Sequence, residues 1–225
     1  MITTDGYQVF NIWEHSSTVA SLYRSRCRKE EPEMDCARQA TAILSKVVQQ
    51  GDRLLDVGCG SGYFFHSISG MKLHYTGIDA APSLIRIGQE EMPRWGCSKE
   101  SLICTRIEDL QGVVDHVICL NVLSNIENFH RPLERLLMIA GKTLILRESI
   151  WDLPSQYCYV QDTFLDNGVN LHVHVNTYNS GEIQLLAKRM GFVATPLMDE
   201  RTQGKAELVI GHPHHWSFMV FKKSK

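Results

Sequence analysis

Three alternating glycines, Gly58, Gly60 and Gly62, constrain the fold more than any other feature of this chain. They follow the apolar run 54–57, and Asp79 comes about 20 residues later, where the second strand of a nucleotide-binding βαβ unit ends. Side chains at the glycine positions would prevent a ligand from lying against the backbone. A carboxylate can accept both hydroxyl protons of a ribose. The pattern therefore predicts a site for a ligand that contains a nucleoside.

The glycine spacing separates two classes of ligand. A dinucleotide fingerprint has the form G-x-G-x-x-G, in which the third glycine lets helix and strand pack closely. Tyr63 stands at that third position, and the pattern is instead Asp56-x-Gly58-x-Gly60-x-Gly62. A nicotinamide-dependent oxidoreductase is therefore disfavoured.

The glycine turn and three later segments resemble the class I S-adenosylmethionine-dependent methyltransferases. The turn with Asp79 is similar to the first two motifs of that family, residues 114–123 to its fourth strand and the following turn, 130–137 to its next helix, and 142–147 to its fifth strand. The resemblance covers roughly residues 36–148 in the expected order. It implies a Rossmann-like α/β fold with a doubly wound, mostly parallel, seven-stranded sheet and an antiparallel C-terminal strand.

The rest of the chain is interpreted around that core. Apolar runs predict parallel strands near residues 53–57, 73–79, 101–105, 115–120 and 143–147, with helices at about 63–69, 83–92, 132–140 and 179–190. Further strand-like runs lie at 192–195, 207–210 and 216–221. Residues 1–34 are predicted to form a helical lid that carries Tyr7, Trp13, Tyr23 and Arg24. Residues 35–225 are predicted to form the main domain, with Asp35 as the N-cap of its first helix.

The resemblance assigns specific residues to the cofactor S-adenosylmethionine. Gly58 and Gly60 let the backbone approach the methionine portion, whose carboxylate is favoured by the following helix N-terminus. Asp56 resembles the family acid near the cofactor's amino group, although a turn-stabilising role is the alternative. Asp79 is expected to bind the ribose, with helix capping as its alternative. The predicted cofactor-binding residues are Asp56, Gly58, Cys59, Gly60, Asp79, Ala80, Leu84, Ile107, Glu108, Asn121 and Val122.

The tip of the third strand departs from the family pattern. Many family members carry an aspartate there that accepts a hydrogen bond from the adenine amino group, whereas this chain has Arg106. An arginine cannot accept a hydrogen bond. Adenine would then be recognised by Glu108, by the backbone of Ile107, or by stacking on Arg106, and the sequence leaves these alternatives open.

The acceptor pocket is predicted less specifically, because methyl transfer from a sulfonium depends mainly on alignment. Family members often build that pocket from an insertion after the fifth strand, here about residues 149–178. No catalytic residue is assigned, and the candidates for the pocket are Tyr23, Tyr157, Tyr159, His172 and His174. His172 and His174 alternate, so they should share one face of a strand.

Three further features near that pocket have ordinary alternatives. The histidines, including the second cluster His212, His214 and His215, could instead face solvent or pack on aromatic rings. No cysteine or third-ligand spacing supports a zinc site. Arg147 and Glu148 point at the pocket from the fifth-strand tip, or else form a surface ion pair.

Composition limits the partners of this 225-residue chain. Its net charge is −2, and it has no block of lysine or arginine apart from the tail 222–225, which disfavours a nucleic-acid acceptor. No proline follows Asn121, which argues against base-flipping DNA methylation. No apolar run approaches the roughly 20 residues that span a bilayer, and the N-terminus lacks the character of a secretory signal. Seven scattered cysteines, with Cys104 and Cys119 expected in buried strands, favour a reducing, cytoplasmic location.

The sequence thus predicts an enzyme that uses S-adenosylmethionine to methylate an oxygen or nitrogen of a small molecule. Two alternatives stay open: a methyltransferase that acts on protein or RNA, and a non-catalytic scaffold that binds S-adenosylmethionine. The departure at Arg106 motivates the scaffold, whereas the intact glycines and Asp79 argue against it. A homo-oligomer is compatible with the sequence.

Overall fold

Short apolar runs build a twisted central sheet with helices on both faces. The computed structural model describes residues 11–162 and 171–224. The strands are β1 Arg53–Val57, β2 His74–Asp79, β3 Leu102–Cys104, β4 Val114–Leu120, β5 Ala140–Trp151, β6 Tyr159–Asp162, β7 Leu171–His174, β8 Tyr178–Asn179, β9 Phe192–Met198, β10 Glu207–Val209, β11 His212–His214 and β12 Trp216–Lys223. The α-helices are α1 Ile12–His15, α2 Ser17–Cys27, α3 Asp35–Leu44, α4 Phe65–Ile68, α5 Pro82–Glu91, α6 His130–Ile139 and α7 Ser180–Arg189.

The order of strands in the sheet is β3-β2-β1-β4-β5-β12-β9. Strands β1 to β5 pair in parallel, and β12 runs antiparallel to both β5 and β9. The predicted doubly wound, mostly parallel sheet with an antiparallel C-terminal strand is therefore confirmed. The short β8 pairs in parallel with the end of β5 and adds a strand that the sequence did not predict.

Neighbouring residues of each central strand enter two different apolar clusters. Leu54 and Ile145 lie in the cluster covered by α2, α3 and α5, whereas Leu55 and Leu144 lie in the one covered by α6 and α7. All four side chains are buried, and each contributes about 1.5–3 kcal/mol of burial free energy. Burial on both faces explains why these strands are continuously apolar in sequence.

Two predicted details are wrong. The N-cap of α3 is Met34, which makes no side-chain capping bond, and Asp35 is the first helical residue. The strand-like run 207–210 does form a strand, β10, which pairs with β11 in a hairpin outside the main sheet. Cys104 is exposed because β3 is an edge strand in which only Leu102 is buried, whereas Cys119 is buried as expected.

A third apolar cluster joins the N-terminal segment to the insertion after β5. It consists of Ile12, Leu171, Val173 and Val175, with Val209 and Ile210 of the β10–β11 hairpin packed against it. Tyr7 of the predicted lid and residues 163–170 of the predicted insertion lie outside the described residues. The division of the chain at residue 34 stays a prediction. Within the described ranges, no helix is long and apolar enough to cross a membrane.

Candidate functional site

The turn after β1 lies at the carboxyl end of the sheet, and its glycine backbone is covered by side chains from other segments. Gly58 and Gly60 have φ angles of +69° and +57°, in the left-handed region that favours glycine. A Cβ atom added to Gly58 would lie 2.2 Å from Cγ2 of Val122, and one added to Gly60 would lie 2.1 Å from Cε1 of Tyr23. Two side chains from distant parts of the chain therefore pack directly on the turn.

Tyr23 is the side chain that covers Gly60. Its ring is enclosed by the edges of Tyr63 and Trp13, with centroids 5.6 and 6.5 Å away, and by the guanidinium of Arg26 at 5.2 Å. Burial raises the pKa of Tyr23 well above its usual value, so the phenol is neutral. This predicted pocket residue lies against the glycine turn itself.

Ion pairs to α5 hold the helix that carries Tyr23. Arg24 and Arg28 donate to Oε1 of Glu91 at 2.9 and 2.7 Å, and Arg24 also reaches Glu90. Glu91 is buried, and its hydrogen bond from Arg28 lowers the pKa of its carboxyl to about 2. Arg24 thus anchors α2 on α5, and its role in the predicted lid stays a prediction.

Asp56 is a buried acid beside the same turn. It is 4% exposed, and its Oδ2 accepts a hydrogen bond of 2.8 Å from the Tyr75 hydroxyl. Burial raises the pKa of Asp56 to about 7, against the lowering effect of that bond. A small pocket adjoins the carboxyl, and it is lined by Met34, Cys36, Ala37, Asp56, Gly58, Cys59, Tyr63, Phe64, Leu120 and Asn121.

Asp79 links the glycine turn to the start of α5. Its Oδ2 accepts from the Gly60 N–H and its Oδ1 from the Ala81 N–H, both at 2.8 Å. Burial raises the pKa of Asp79, while these backbone donors oppose the rise. Ala80 is exposed beside it, but Leu84 is 1% exposed inside the core, so its side chain does not flank this surface as predicted.

The predicted adenine edge is open to solvent. Ile107 is half-buried at the start of a 3-10 turn, whereas Arg106 and Glu108 are exposed. Nε of Arg106 lies 3.5 Å from Oε2 of Glu108. An exposed pair of this kind contributes little, so both side chains can change partners and the sequence alternatives stay open.

The turn after β4 is bound to β5 through its own N–H groups. Asn121, with φ of +59°, donates its N–H to the Arg147 carbonyl at 2.7 Å, and Val122 donates to Glu148 at 2.8 Å. Asn121 and Val122 are predicted cofactor-binding residues, and the N–H groups of both have partners in β5. Their side chains instead reach the site, since Asn121 lines the pocket and Val122 packs on Gly58.

Arg147 and Glu148 form no surface ion pair, because both are buried and bind different partners. Arg147 is 2% exposed, donates from Nε to Asp199 at 2.7 Å and stacks on Trp216 with its guanidinium carbon 4.5 Å from the ring centroid. It also donates to the Asn121 side chain. Sequence reasoning missed Asp199 and Trp216, which follow Arg147 by 52 and about 70 residues and carry no local signal.

The remaining pocket candidates lie on the insertion. The ring of Tyr159 packs on both His172 and His174, at centroid distances of 5.2 and 4.6 Å, so the two histidines share one face of β7 as predicted. Tyr157 packs instead on Tyr178 at 5.8 Å. The structure therefore brings Tyr159, His172 and His174 together, whereas Tyr23 lies at the glycine turn.

The second histidine cluster packs on aromatic rings. His214 is buried against Trp216 at 4.9 Å, and His215 packs on Trp151 at 5.1 Å. In the part of the chain that the structure describes, no three His, Cys, Asp or Glu side chains group as ligands for a metal ion.

Comparison with known proteins connects this site to one family. A family described as "Methyltransferase domain" matches residues 55–141. A ubiquinone biosynthesis O-methyltransferase from Xylella fastidiosa is 32% identical over 88 residues, which cover 37% of this chain and 35% of that protein. The match thus spans about a third of the length of these curated relatives.

Solved structures resemble the chain over a much larger share of its length. Magnesium protoporphyrin IX methyltransferase from Synechocystis PCC 6803 with bound SAH has a TM-score of 0.65 at 14% identity, covering 96% of this chain and 98% of that one. A 1,6-didemethyltoxoflavin-N1-methyltransferase from Burkholderia thailandensis has a TM-score of 0.55 at 16% identity, covering 84% and 78%. At these identities the likeness establishes the fold.

Proposed function

Because residues 55–141 match a methyltransferase domain family, we propose that this chain transfers a methyl group from S-adenosylmethionine to an oxygen or nitrogen atom of a small molecule. The observation that carries the proposal is the buried Asp56 carboxyl, which adjoins a pocket at the bare glycine turn. A buried acid of this kind is stabilised when a cation binds beside it.

The residues present fit the two ends of this cofactor. Asp56 would bind the ammonium group of the methionine portion, and the backbone of Gly58, Cys59 and Gly60 would lie along it. Asp79 would bind the ribose hydroxyls through its carboxylate oxygens, which now accept from backbone N–H groups. Ile107 and Glu108 would lie at the adenine. When bound, the cofactor supplies a methyl group on a positively charged sulfur, so the reaction needs no acid for its leaving group.

The protein's own contribution is alignment and exclusion of water. Tyr23 covers Gly60, so its ring has to leave that backbone before a ligand can lie there. Residues 1–34 would then act as the lid predicted from the sequence, with α2 held on α5 by the Glu91 ion pairs while the ring moves. Hydroxyl and imidazole groups of Tyr157, Tyr159, His172 and His174 would face the acceptor from the insertion.

A small acceptor is favoured over a nucleic acid by charge. The net charge is −2, so the chain as a whole gives a polyanionic RNA no electrostatic attraction. The relatives also act on small molecules by their names, one through oxygen and one through nitrogen.

Calorimetric titration with S-adenosylhomocysteine tests the cofactor site without requiring turnover. If the ligand's ammonium binds the ionised carboxyl of Asp56, affinity falls about tenfold for each pH unit below 7. Asp56→Asn should weaken binding at pH 8 and remove that slope. Glu100→Gln, at an exposed acid, is the matched control. A wild-type chain that gives no heat at millimolar ligand would overturn the proposal.

Transfer of a labelled methyl group separates the acceptor classes. Extract divided into small-molecule, RNA and protein fractions is incubated with labelled S-adenosylmethionine and the chain. Label is expected in the small-molecule fraction. Label in RNA or protein would instead assign the acceptor to that class. Binding of S-adenosylmethionine without label in any fraction would favour a non-catalytic scaffold.

A further inference from the structure

Glu148 is a buried acid whose carboxylate is bound by a loop from another strand. It is 0% exposed. Oε1 accepts the N–H groups of Val122 and Leu123 at 2.8 Å each, and Oε2 accepts the N–H and hydroxyl of Ser124 at 2.8 and 2.7 Å. All four partners are donors, so the arrangement fits the ionised carboxylate, which accepts at both oxygens. Burial raises the pKa of Glu148 while these donors lower it.

The same loop forms one wall of the candidate cofactor site. Val122 packs on Gly58, and Asn121 lines the pocket that holds Asp56. The Asn121 N–H is bound by the carbonyl of Arg147. Two consecutive residues of β5 therefore bind four consecutive N–H groups, from Asn121 to Ser124.

Without the Glu148 carboxylate, the N–H groups of residues 122–124 would lose their hydrogen-bond acceptor. Leu123 and Ser124 are buried, and buried N–H groups are almost always hydrogen-bonded in folded proteins. The loop would have to shift toward water or toward other acceptors. Such a shift displaces Val122 from Gly58, because the N–H groups of Val122 and Leu123 are both bound by this carboxylate.

We propose that Glu148 is a positioning residue for the cofactor site, holding Val122 on Gly58 and Asn121 at the pocket and thereby setting the affinity for S-adenosylmethionine. Glu148 acts through the loop and does not touch the ligand. The inference rests on the proposed function, and the experiment distinguishes the failure of one from the failure of the other.

Glu148→Gln is the informative substitution because it keeps the size of the side chain. Its amide places an NH2 group opposite donors of the loop, so a donor faces a donor. The dissociation constant for S-adenosylhomocysteine, measured by calorimetry on fully folded protein, should rise about tenfold or more, the scale expected when supporting residues of a site are removed. Asp52→Asn, at the opposite end of the sheet, controls for lost stability and should leave that constant unchanged.

A double-mutant cycle with Val122→Ala separates positioning from a general effect on folding. If Glu148 acts through Val122, the double variant should bind S-adenosylhomocysteine with the same affinity as the single variant that binds it less tightly. Additive effects, or equal weakening in Asp52→Asn, would overturn the inference. Unchanged binding in Glu148→Gln would also overturn it while leaving the proposed function intact. A wild-type chain that binds no ligand removes both.

Discussion

The two ends of strand β1 hold aspartates of opposite character. Asp52, just before the strand, accepts from Lys142 Nζ at 2.6 Å, Gln49 N–H at 2.8 Å and His116 Nε2 at 3.0 Å. The bond from Lys142 is the main cause that lowers the pKa of Asp52. Asp56, at the other end, has a raised pKa because its burial outweighs the hydrogen bond from Tyr75.

The comparison shows how one strand serves two purposes. At the amino end, paired charges stabilise the fold and leave the carboxylate fully bound. At the carboxyl end, a carboxyl lies buried without a cation among the described residues, which destabilises its ionised form. Ligands bind at the carboxyl ends of parallel strands. Asp56, whose ionised form destabilises the folded protein, lies at that end of β1.

The largest expected effect is a gain of stability in Asp56→Asn at alkaline pH. The folded pKa of about 7 exceeds the unfolded value of 3.8, so the folded state binds more protons between these values. The stability that this group contributes is complete below pH 3.8 and is lost as pH rises through 7. Above pH 8, the asparagine variant should be more stable by up to about 4 kcal/mol.

Urea unfolding at pH 4 and pH 8.5 checks this prediction. The two proteins should be within about 1 kcal/mol of each other at pH 4 and should diverge at pH 8.5. An equal difference at both pH values would show that Asp56 ionises without cost. The comparison between the two ends would then fail.

Asp52→Asn should act in the opposite direction and by less. The amide cannot pair with the charge of Lys142, and the lysine is half-exposed, so a loss of about 2 kcal/mol is expected. The lowered pKa means that this contribution is present above pH 3.8 and disappears as pH falls through the folded value. Urea unfolding at pH 7 should show the loss, and an unaffected midpoint would contradict it.

Local patterns predicted the carboxyl end of β1 well. The sheet, which rests on the ordered apolar runs, is confirmed, and residues 55–141, which include the glycine turn, match a methyltransferase domain family. Asp56, Gly58 and Asp79 could be singled out because their positions follow from distance along the chain to a strand end. The roles assigned to these residues with a ligand stay predictions.

Contacts between distant segments could not be predicted in the same way. Glu148 contacts Val122 from 26 residues away, and Arg24 contacts Glu91 from 67 residues away. Leu84 was predicted at the cofactor surface but is buried in the core, because its place in the sequence of α5 does not reveal which side of the helix faces the core. Asp52 was overlooked, since a surface-like acid gives no local sign of its partners Lys142 and His116.

The smallest expected effect is on the rate of ligand association, which depends on what covers the carboxyl end of β1. Ion pairs close the amino end, whereas the ring of Tyr23 packs on Gly60 at the carboxyl end. If ligand enters only when the ring has moved, the fraction of open molecules limits apparent binding. Tyr23→Ala should therefore raise the association rate of S-adenosylhomocysteine about threefold in stopped-flow fluorescence. Tyr23→Phe keeps the ring and should match the wild type. An equal or slower association rate in the alanine variant would contradict gating by the ring, and faster dissociation would mean that Tyr23 helps to hold the bound ligand.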